Sequence, residues 1–293
     1  MPLANFHPKT AKRYCLGIHY YQSKILEQIS VTPSEPIFKR QSTHMHSSPS
    51  YLVQAYAHLY FICGGFCFSI KWAFRRVLGL RICSITEREL LVKGINSYLC
   101  LLKKSGIIEL QLEGFEDVDE WKGCIIAPNH PSILDAIILM AFVPSLDCVV
   151  NAKLLHNPVT SGVVKLCNFI RNDSPLNITK ACKDRIAKGS NILLFPEGTR
   201  TIKKPLNPFH PIYALISKAT GGPIRTIFIR CDSDYFGRKF SYFKPAICPL
   251  RFRISAGRIF RSNQSINPRI LSSEVEEYFR SELETDLTPS ELC

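Results

Sequence analysis

The sequence predicts an α/β fold: a mostly parallel sheet flanked by helices and preceded by an N-terminal membrane-associating helical segment. Three observations support this prediction. The chain has 293 residues, which is enough to bury the core of one large α/β domain. From residue 107 onward, short apolar runs alternate with segments of helical periodicity, as they do in folds with a parallel sheet. Before them, residues 51–70 contain no formally charged side chain.

Changes in composition along the chain predict four segments. Residues 1–48 have no sustained periodicity, and we expect a loosely ordered extension there. We expect residues 49–106 to be the membrane-associating helical segment and residues 107–261 to be the α/β domain. Residues 262–293 are acidic and are expected to form a C-terminal helix and tail.

The uncharged stretch 51–70 is just long enough to cross a bilayer. Gln54, Ser69 and the Gly64–Gly65 pair weaken it as a span, and basic residues on both sides give no clear topology. We therefore expect an interfacial or re-entrant helix on the cytoplasmic face, with the basic residues of 71–81 near an anionic leaflet. The alternative is a buried core helix.

The α/β region is predicted element by element from its periodicity, and its last helix is expected to begin with a capping box formed by Ser273 and Glu276. In chain order the predicted elements are helix 87–104, strands 107–112 and 124–127, helix 131–142, strand 148–152, helices 159–166 and 178–188, strand 191–195, helix 211–218, strands 224–229 and 250–255, and helix 273–284.

The net charge of +13 is concentrated in residues 201–261, which hold twelve Lys and Arg residues against two aspartates. Such a patch attracts nucleic acid or an anionic bilayer, or it is an ordinary solvated face. In the run 250–254, arginines alternate with apolar residues, so they could face lipid headgroups or simply solvent. The sequence has no zinc-finger spacing, RNP-type aromatic motif or helix-turn-helix signal, so we expect no nucleic-acid partner.

The twelve cysteines are scattered singly, without a CxxC pair or a Cys/His cluster at zinc spacing. Disulfide frameworks belong mainly to short secreted chains. The pattern therefore predicts buried thiols in a reducing compartment, and no metal site.

The first motif with chemical potential is Asn129-His130-Pro131-Ser132-Ile133-Leu134-Asp135, at the change from an apolar strand to a helix. His130 is thus expected at the carboxyl edge of the sheet, where α/β folds bind ligands. From the helix cap its ring can fold back onto Asp135, which would orient the imidazole while the other ring nitrogen takes a proton. The alternative is a capping Asn beside a structural His.

The second motif, Phe195-Pro196-Glu197-Gly198-Thr199-Arg200, also follows an apolar strand. Gly198 allows a close backbone approach or a positive φ, and Arg200 offers two parallel donors to a phosphate. Glu197 is expected to orient Arg200 or to bond acceptor hydroxyls. The alternative is a β-turn with a surface ion pair.

In this order and spacing, the two motifs resemble those of the lysophospholipid acyltransferase family, which includes the 1-acyl-glycerol-3-phosphate acyltransferases. The resemblance covers roughly residues 110–259. It implies that His130 is a general base oriented by Asp135. It also implies that Glu197, Gly198, Thr199 and Arg200 bind the acceptor, its phosphate above all. Arg171, in the block between the motifs, is a further expected phosphate ligand.

The resemblance also predicts the reaction. A fatty acyl group would pass from acyl-CoA or acyl carrier protein to a hydroxyl of a lysophospholipid such as 1-acyl-glycerol-3-phosphate, in phospholipid biosynthesis. No cofactor is expected, and the partners would be membrane lipids and the acyl donor. His210-Pro211 stands where many members have a basic-Gly pair, so a different lipid acceptor is the alternative. A catalytically idle lipid-binding protein is another.

Overall fold

The structure is a computed structural model, which describes residues 51–233, 237, 247–263 and 265–284. The predicted extension 1–48 lies outside these residues.

The described residues form seven α-helices and seven strands. The helices are α1 (Tyr51–Val77), α2 (Ser84–Lys104), α3 (Leu134–Phe142), α4 (Ser161–Leu166), α5 (Pro175–Ile186), α6 (Ile212–Thr220) and α7 (Pro268–Glu284). The strands are β1 (Ile108–Glu113), β2 (Ile125–Pro128), β3 (Leu146–Asn151), β4 (Ile170–Asn172), β5 (Asn191–Leu193), β6 (Ile224–Cys231) and β7 (Leu250–Phe260). Short 3-10 helices span Val118–Glu120 and Ala152–Leu155.

The seven strands form one sheet in the order β1-β7-β6-β2-β5-β3-β4. The five strands from β6 to β4 in this order are mutually parallel, whereas β7 runs antiparallel to β6 and parallel to β1. We call the side where these five strands end the carboxyl edge and the opposite side the amino edge. The predicted α/β fold with a mostly parallel sheet is confirmed.

Both faces of the sheet are covered, as a parallel sheet requires. In β2, Ile125, Ile126 and Ala127 are all completely buried although they alternate between the two faces. Helices α5, α6 and α7 contribute Cys182, Tyr213 and Phe279 to the core cluster on the face of Ile125. A strand buried on both faces reads as an uninterrupted apolar run, which is how β2 appears in the sequence.

Helix α1 lies against α4 at very short range. A Cβ added at Gly65 would collide with Val159, and one at Gly162 would collide with the backbone at Ser69. The Ser69 hydroxyl donates to the Pro158 carbonyl (2.6 Å) and accepts from the Gly162 N–H (3.0 Å). The glycine and serine that weaken 51–70 as a membrane span therefore hold the helix to the domain.

By length and composition alone, α1 is the one helix among the described residues that could cross a membrane. Only 11% of its most apolar window is buried, which disfavours the alternative of a core helix. Its basic end is partly neutralised. Lys71 Nζ lies 2.7 Å from a Glu87 carboxylate oxygen and Arg75 lies 3.6 Å from the other, and Glu87 is buried. These two residues therefore contribute less to attraction by an anionic leaflet than the sequence suggests.

Four predicted helix starts differ from the structure by three residues or more. Helix α2 begins at Ser84 rather than at 87, and helix α5 begins at Pro175 rather than at 178. Helix α3 begins at Leu134 rather than at Pro131, because the chain first turns and the Ser132 hydroxyl accepts the Leu134 N–H. Helix α7 begins at Pro268, where the side chain of Asn267 accepts the Arg269 N–H. The expected capping box is therefore wrong: Ser273 lies inside the helix and donates to the Arg269 carbonyl.

The arginines of β7 pair with the neighbouring strand, which favours the solvated-face alternative. Arg251 donates to Glu109 (3.1 Å) and Arg253 donates to Glu113 (3.0 Å).

The sequence predicted that the cysteine thiols are buried, and the structure shows this for only some of them. Cys124, Cys148, Cys167 and Cys182 are buried, whereas Cys63, Cys67 and Cys83 are exposed.

Candidate active site

The two motifs follow β2 and β5, which are neighbouring parallel strands paired at Ile125–Ile192 and Ile126–Leu193. Both loops therefore leave the sheet at the carboxyl edge, side by side. The His130 ring stacks on Phe195 with centroids 3.7 Å apart and planes tilted by 18°. The backbone also connects the loops, because the Thr201 N–H donates to the His130 carbonyl (2.7 Å).

His130 and Asp135 make the contact that the sequence predicted. Nδ1 of His130 lies 2.8 Å from Oδ2 of Asp135, and the same oxygen accepts the Ser132 N–H at 2.8 Å. The imidazole is 17% exposed and the carboxylate is fully buried. Because Nδ1 is engaged by the carboxylate, Nε2 is the ring nitrogen available to take a proton from a substrate.

Burial raises the pKa of the Asp135 carboxyl above its ordinary value, although the hydrogen bonds from His130 and Ser132 act in the opposite direction. Both hydrogen bonds reach Oδ2. Oδ1 is buried and has no hydrogen-bond partner among the described residues. The ionised carboxylate is thus costly in the absence of a cation, and it favours a protonated imidazole beside it.

Asn129 holds the start of the histidine loop. Its side-chain amide donates to the Ile229 carbonyl (2.8 Å) and its side-chain oxygen accepts the Ile229 N–H (2.7 Å). This pair of bonds ties the chain after β2 to β6, one residue before His130. The sequence suggested only a capping role for Asn129, because its partner lies 100 residues away.

Glu197 joins the two loops from inside. Its Oε1 accepts the His130 N–H and the Thr201 hydroxyl, both at 2.8 Å, and its Oε2 accepts the Asn207 N–H at 3.0 Å. The residue is only 7% exposed, and burial raises the pKa of its carboxyl while the backbone N–H groups of Asn207 and His130 oppose that rise. The structure thus gives Glu197 protein partners. Its expected contact with the acceptor stays a prediction.

Asn207 is a second residue that the sequence did not single out. It is buried, and its side-chain oxygen accepts the N–H groups of Ile202 (3.0 Å) and Lys203 (3.2 Å). Its side-chain amide donates to the Arg200 carbonyl at 3.2 Å. Asn207 therefore fixes the loop that carries Arg200. An Asn in a Pro-rich loop gives no sequence signal for such a role.

The expected acceptor-binding residues of the second motif form the rim of this loop. Gly198 is exposed and has φ +66°, a conformation that glycine adopts without strain. Thr199 and Arg200 are half-buried, and Arg200 Nη1 donates to the Gly237 carbonyl at 2.6 Å. Arg200 is close enough to Asp135 to act against the rise of its pKa. Its predicted contact with phosphate stays a prediction.

Arg171 lies at the same edge but farther along it. It belongs to β4, which β3 and β5 separate from β2. Neighbouring strands are about 4.8 Å apart, so Arg171 lies about 14 Å from the histidine loop along the sheet. Its side chain is 58% exposed and lies 3.6 Å from Asp173. It borders a cavity of about 230 Å³ between β4 and α5, lined also by Phe169, Asn177, Ala181 and Arg185.

Residues 109–230 match the family model described as acyltransferase, and both motifs lie within the match. The central part of the chain is therefore similar to the acyltransferase family. A chloroplastic 1-acyl-sn-glycerol-3-phosphate acyltransferase of Brassica napus is 28% identical over 106 residues, 34% of this chain and 31% of that protein. The human 1-acyl-sn-glycerol-3-phosphate acyltransferase beta is 28% identical over 134 residues, 43% of this chain and 48% of that protein.

The matched part of the chain spans only about a third to about half of the length of these two relatives. A crystal structure of the 1-acyl-sn-glycerophosphate acyltransferase from Thermotoga maritima extends the likeness in fold. It superposes with a TM-score of 0.58 at 18% identity, and covers 80% of this chain and 96% of that one. Together these comparisons confirm the predicted resemblance.

Proposed function

We propose that this protein transfers a fatty acyl group from an acyl thioester to a hydroxyl of a lysophospholipid such as 1-acyl-glycerol-3-phosphate. The observation that carries the proposal is the pair of His130 and Asp135, with 2.8 Å between Nδ1 and Oδ2, at the carboxyl edge of an acyltransferase domain. The curated relatives are 1-acyl-sn-glycerol-3-phosphate acyltransferases, which supports that acceptor. The acyl donor is acyl-CoA or acyl carrier protein.

In the proposed reaction the acceptor hydroxyl attacks the carbonyl carbon of the thioester while His130 Nε2 takes its proton. Asp135 stabilises the imidazolium that forms. The new C–O bond replaces the C–S bond, and the departing thiolate receives the proton from His130. An acyl ester and a free thiol are the products. No enzyme nucleophile is required, because the acceptor itself attacks.

The acceptor phosphate is assigned to the rim formed by Gly198, Thr199 and Arg200, with Arg171 as a more distant candidate. The guanidinium of Arg200 can offer two parallel donors to phosphate oxygens. Glu197 acts mainly by holding the two loops together. The protein works at a membrane surface, for which the length and exposure of α1 are the support.

The proposal is tested by incubating the full chain with a panel of lyso-lipids and either acyl-CoA or acyl carrier protein. We expect acylation of 1-acyl-glycerol-3-phosphate with release of one thiol per ester formed. A chain that binds vesicles but acylates no member of the panel with either donor would instead be an idle lipid-binding relative. Preferred acylation of a different lyso-lipid would replace the acceptor and retain the reaction type. Protease accessibility in sealed vesicles tests the expected cytoplasmic face.

A further inference from the structure

Three large aliphatic side chains are exposed at the carboxyl edge, beside the candidate site. Ile133, Leu176 and Ile202 are 39%, 79% and 54% exposed. Ile133 lies five residues after the end of β2, and Leu176 lies four residues after the end of β4. Ile202 lies nine residues after the end of β5, directly after Thr201, whose N–H donates to the His130 carbonyl. These strands lie within a width of about 15 Å, since neighbouring strands are about 4.8 Å apart. The three side chains therefore lie at the same edge of the sheet as His130.

The charge around these side chains is positive. Lys153 follows β3, and Lys203 and Lys204 follow Ile202, and all three are exposed. Apart from Asp135 and Glu197, which are buried, the acidic residues that follow the parallel strands at this edge, within the described ranges, are Asp173 and Asp232. They lie 3.6 Å from Arg171 and 3.7 Å from Arg251 respectively. A basic border around an apolar centre is complementary to the headgroups and acyl chains of an anionic leaflet.

Helix α1 is oriented toward the same side. Its residues Gly65 and Ser69 meet Val159 and Gly162 in the same sequence order, so α1 runs parallel to α4. Helix α4 connects the parallel strands β3 and β4 and returns from the carboxyl edge to the amino edge. The N-terminal half of α1 is therefore at the carboxyl edge, where Leu52 is 81% exposed.

We propose that the carboxyl edge is a second membrane-contact surface, in which Ile133, Leu176 and Ile202 enter an anionic leaflet next to α1. This surface holds the opening of the site at headgroup level, so that a lipid acceptor reaches His130 without leaving the bilayer. The role of this surface in presenting the acceptor rests on the proposed acyl transfer, whereas the contact of the surface with the membrane does not depend on it. A binding experiment can therefore test it without measuring activity.

The experiment uses the full chain with a tryptophan in place of one exposed aliphatic residue of the proposed surface, as Leu176→Trp or Ile202→Trp. These two proteins are called the rim variants below. The matched control is Ile270→Trp, because Ile270 is 66% exposed and lies near the start of α7, at the amino edge. Vesicles of phosphatidylcholine and phosphatidylglycerol carry bromine on their acyl chains, which quenches indole emission on contact. The unmodified chain supplies the background of Trp72 and Trp121.

We expect blue-shifted emission and loss of intensity for both rim variants, and neither change for Ile270→Trp. The double variant Leu176→Glu/Ile202→Glu should bind these vesicles about tenfold more weakly, whereas Ile270→Glu should bind normally. Quenching of Ile202→Trp without Leu176→Trp would indicate a lipid bound inside the site and overturn the proposal, as would no quenching of either. An inactive protein with quenched rim tryptophans would refute the acyl transfer and leave the surface in place.

Discussion

Asp135 and Asp147 are both fully buried, but they lie at opposite edges of the sheet and have different partners. Asp147, in β3 near the amino edge, forms ion pairs with Arg88 of α2 and with Arg185 of α5 (3.8 Å). Both arginines also donate to the Asn168 carbonyl, so this cluster ties two helices to the chain before β4. Asp135 has one partner that can change its charge, His130.

The comparison shows that burial alone does not identify a functional carboxylate. Arginine remains charged at every ordinary pH, so the charges around Asp147 are constant and stabilise one arrangement. The imidazole of His130 can accept and release a proton, so the charge beside Asp135 can alternate during a reaction. Five predictions test this difference and the roles of the two loops around Asp135.

The largest expected effect is on activity at the carboxyl edge. His130→Ala should lower the rate of acyl transfer by about 10²–10⁴-fold, because it removes the group that takes the acceptor proton. Turnover is measured together with the thermal unfolding midpoint, which should not fall. A folded His130→Ala protein with full turnover would exclude the proposed mechanism.

At the amino edge the expected effect is on stability. Asp147→Asn should lower the free energy of unfolding by about 3–5 kcal/mol, because it leaves Arg88 and Arg185 without the buried counter-charge. Chemical denaturation of the variant and the parent measures the difference. The matched variant Asp135→Asn should lose far less, because burial already disfavours the ionised carboxylate there. Equal losses in the free energy of unfolding for the two variants would contradict the proposed difference between Asp135 and Asp147.

The third prediction concerns Glu197, whose carboxylate holds both loops. Glu197→Gln can still accept the His130 N–H, but its amide would oppose the Asn207 N–H. We expect kcat to fall about tenfold with little change in the KM of the acceptor, because the loops shift. Glu276→Gln is the control, since Glu276 also accepts a backbone N–H, from Phe209, but on α7. A raised acceptor KM at unchanged kcat would instead support direct acceptor binding by Glu197.

Arg200 provides a smaller test of specificity. Arg200→Lys should lower kcat/KM by about tenfold for phosphate-bearing acceptors and by less for neutral ones, because an ammonium cannot replace two parallel donors. Arg225→Lys is a suitable control, because Arg225 pairs with Asp117 (3.4 Å) near the amino edge. Equal losses on both kinds of acceptor would mean that Arg200 supports the loop or the donor.

The sequence predicted that the two motifs lie close together, because each motif follows an apolar strand and the ends of parallel strands meet at one edge of the sheet. It missed β4, because this strand has three residues of which only Ile170 is apolar, so it shows neither an alternation nor an apolar run. It also missed the roles of Asn129 and Asn207, which depend on hydrogen bonds to distant or irregular backbone. Contacts of this kind follow from tertiary pairing, and local residue patterns do not encode them. The predicted fold needed only periodicity, which is local.

The smallest expected effect is a displacement of the pH profile. Activity needs the Asp135 carboxylate ionised, because it stabilises the imidazolium that forms on His130, so kcat/KM should decline as the pH falls into the range in which Asp135 takes up a proton. Since burial raises the pKa of Asp135 above its unfolded value, the folded chain binds that proton more tightly. The contribution of this group to the free energy of unfolding therefore decreases as the pH rises through the interval between the two values.

Asp135→Asn removes the carboxyl group whose protonation is expected to cause this decline. Its residual activity should therefore persist to lower pH, so that the acid limb of the pH profile moves downward, while the maximum rate falls. Asp147 lies at the other edge beside Arg88 and Arg185, so Asp147→Asn should leave the acid limb of the pH profile in place. The measurement is kcat/KM against pH for the parent and both variants, over a range in which each remains folded. An unmoved acid limb in Asp135→Asn, or the same displacement in both variants, would show that protonation of Asp135 does not set the lower pH limit of activity.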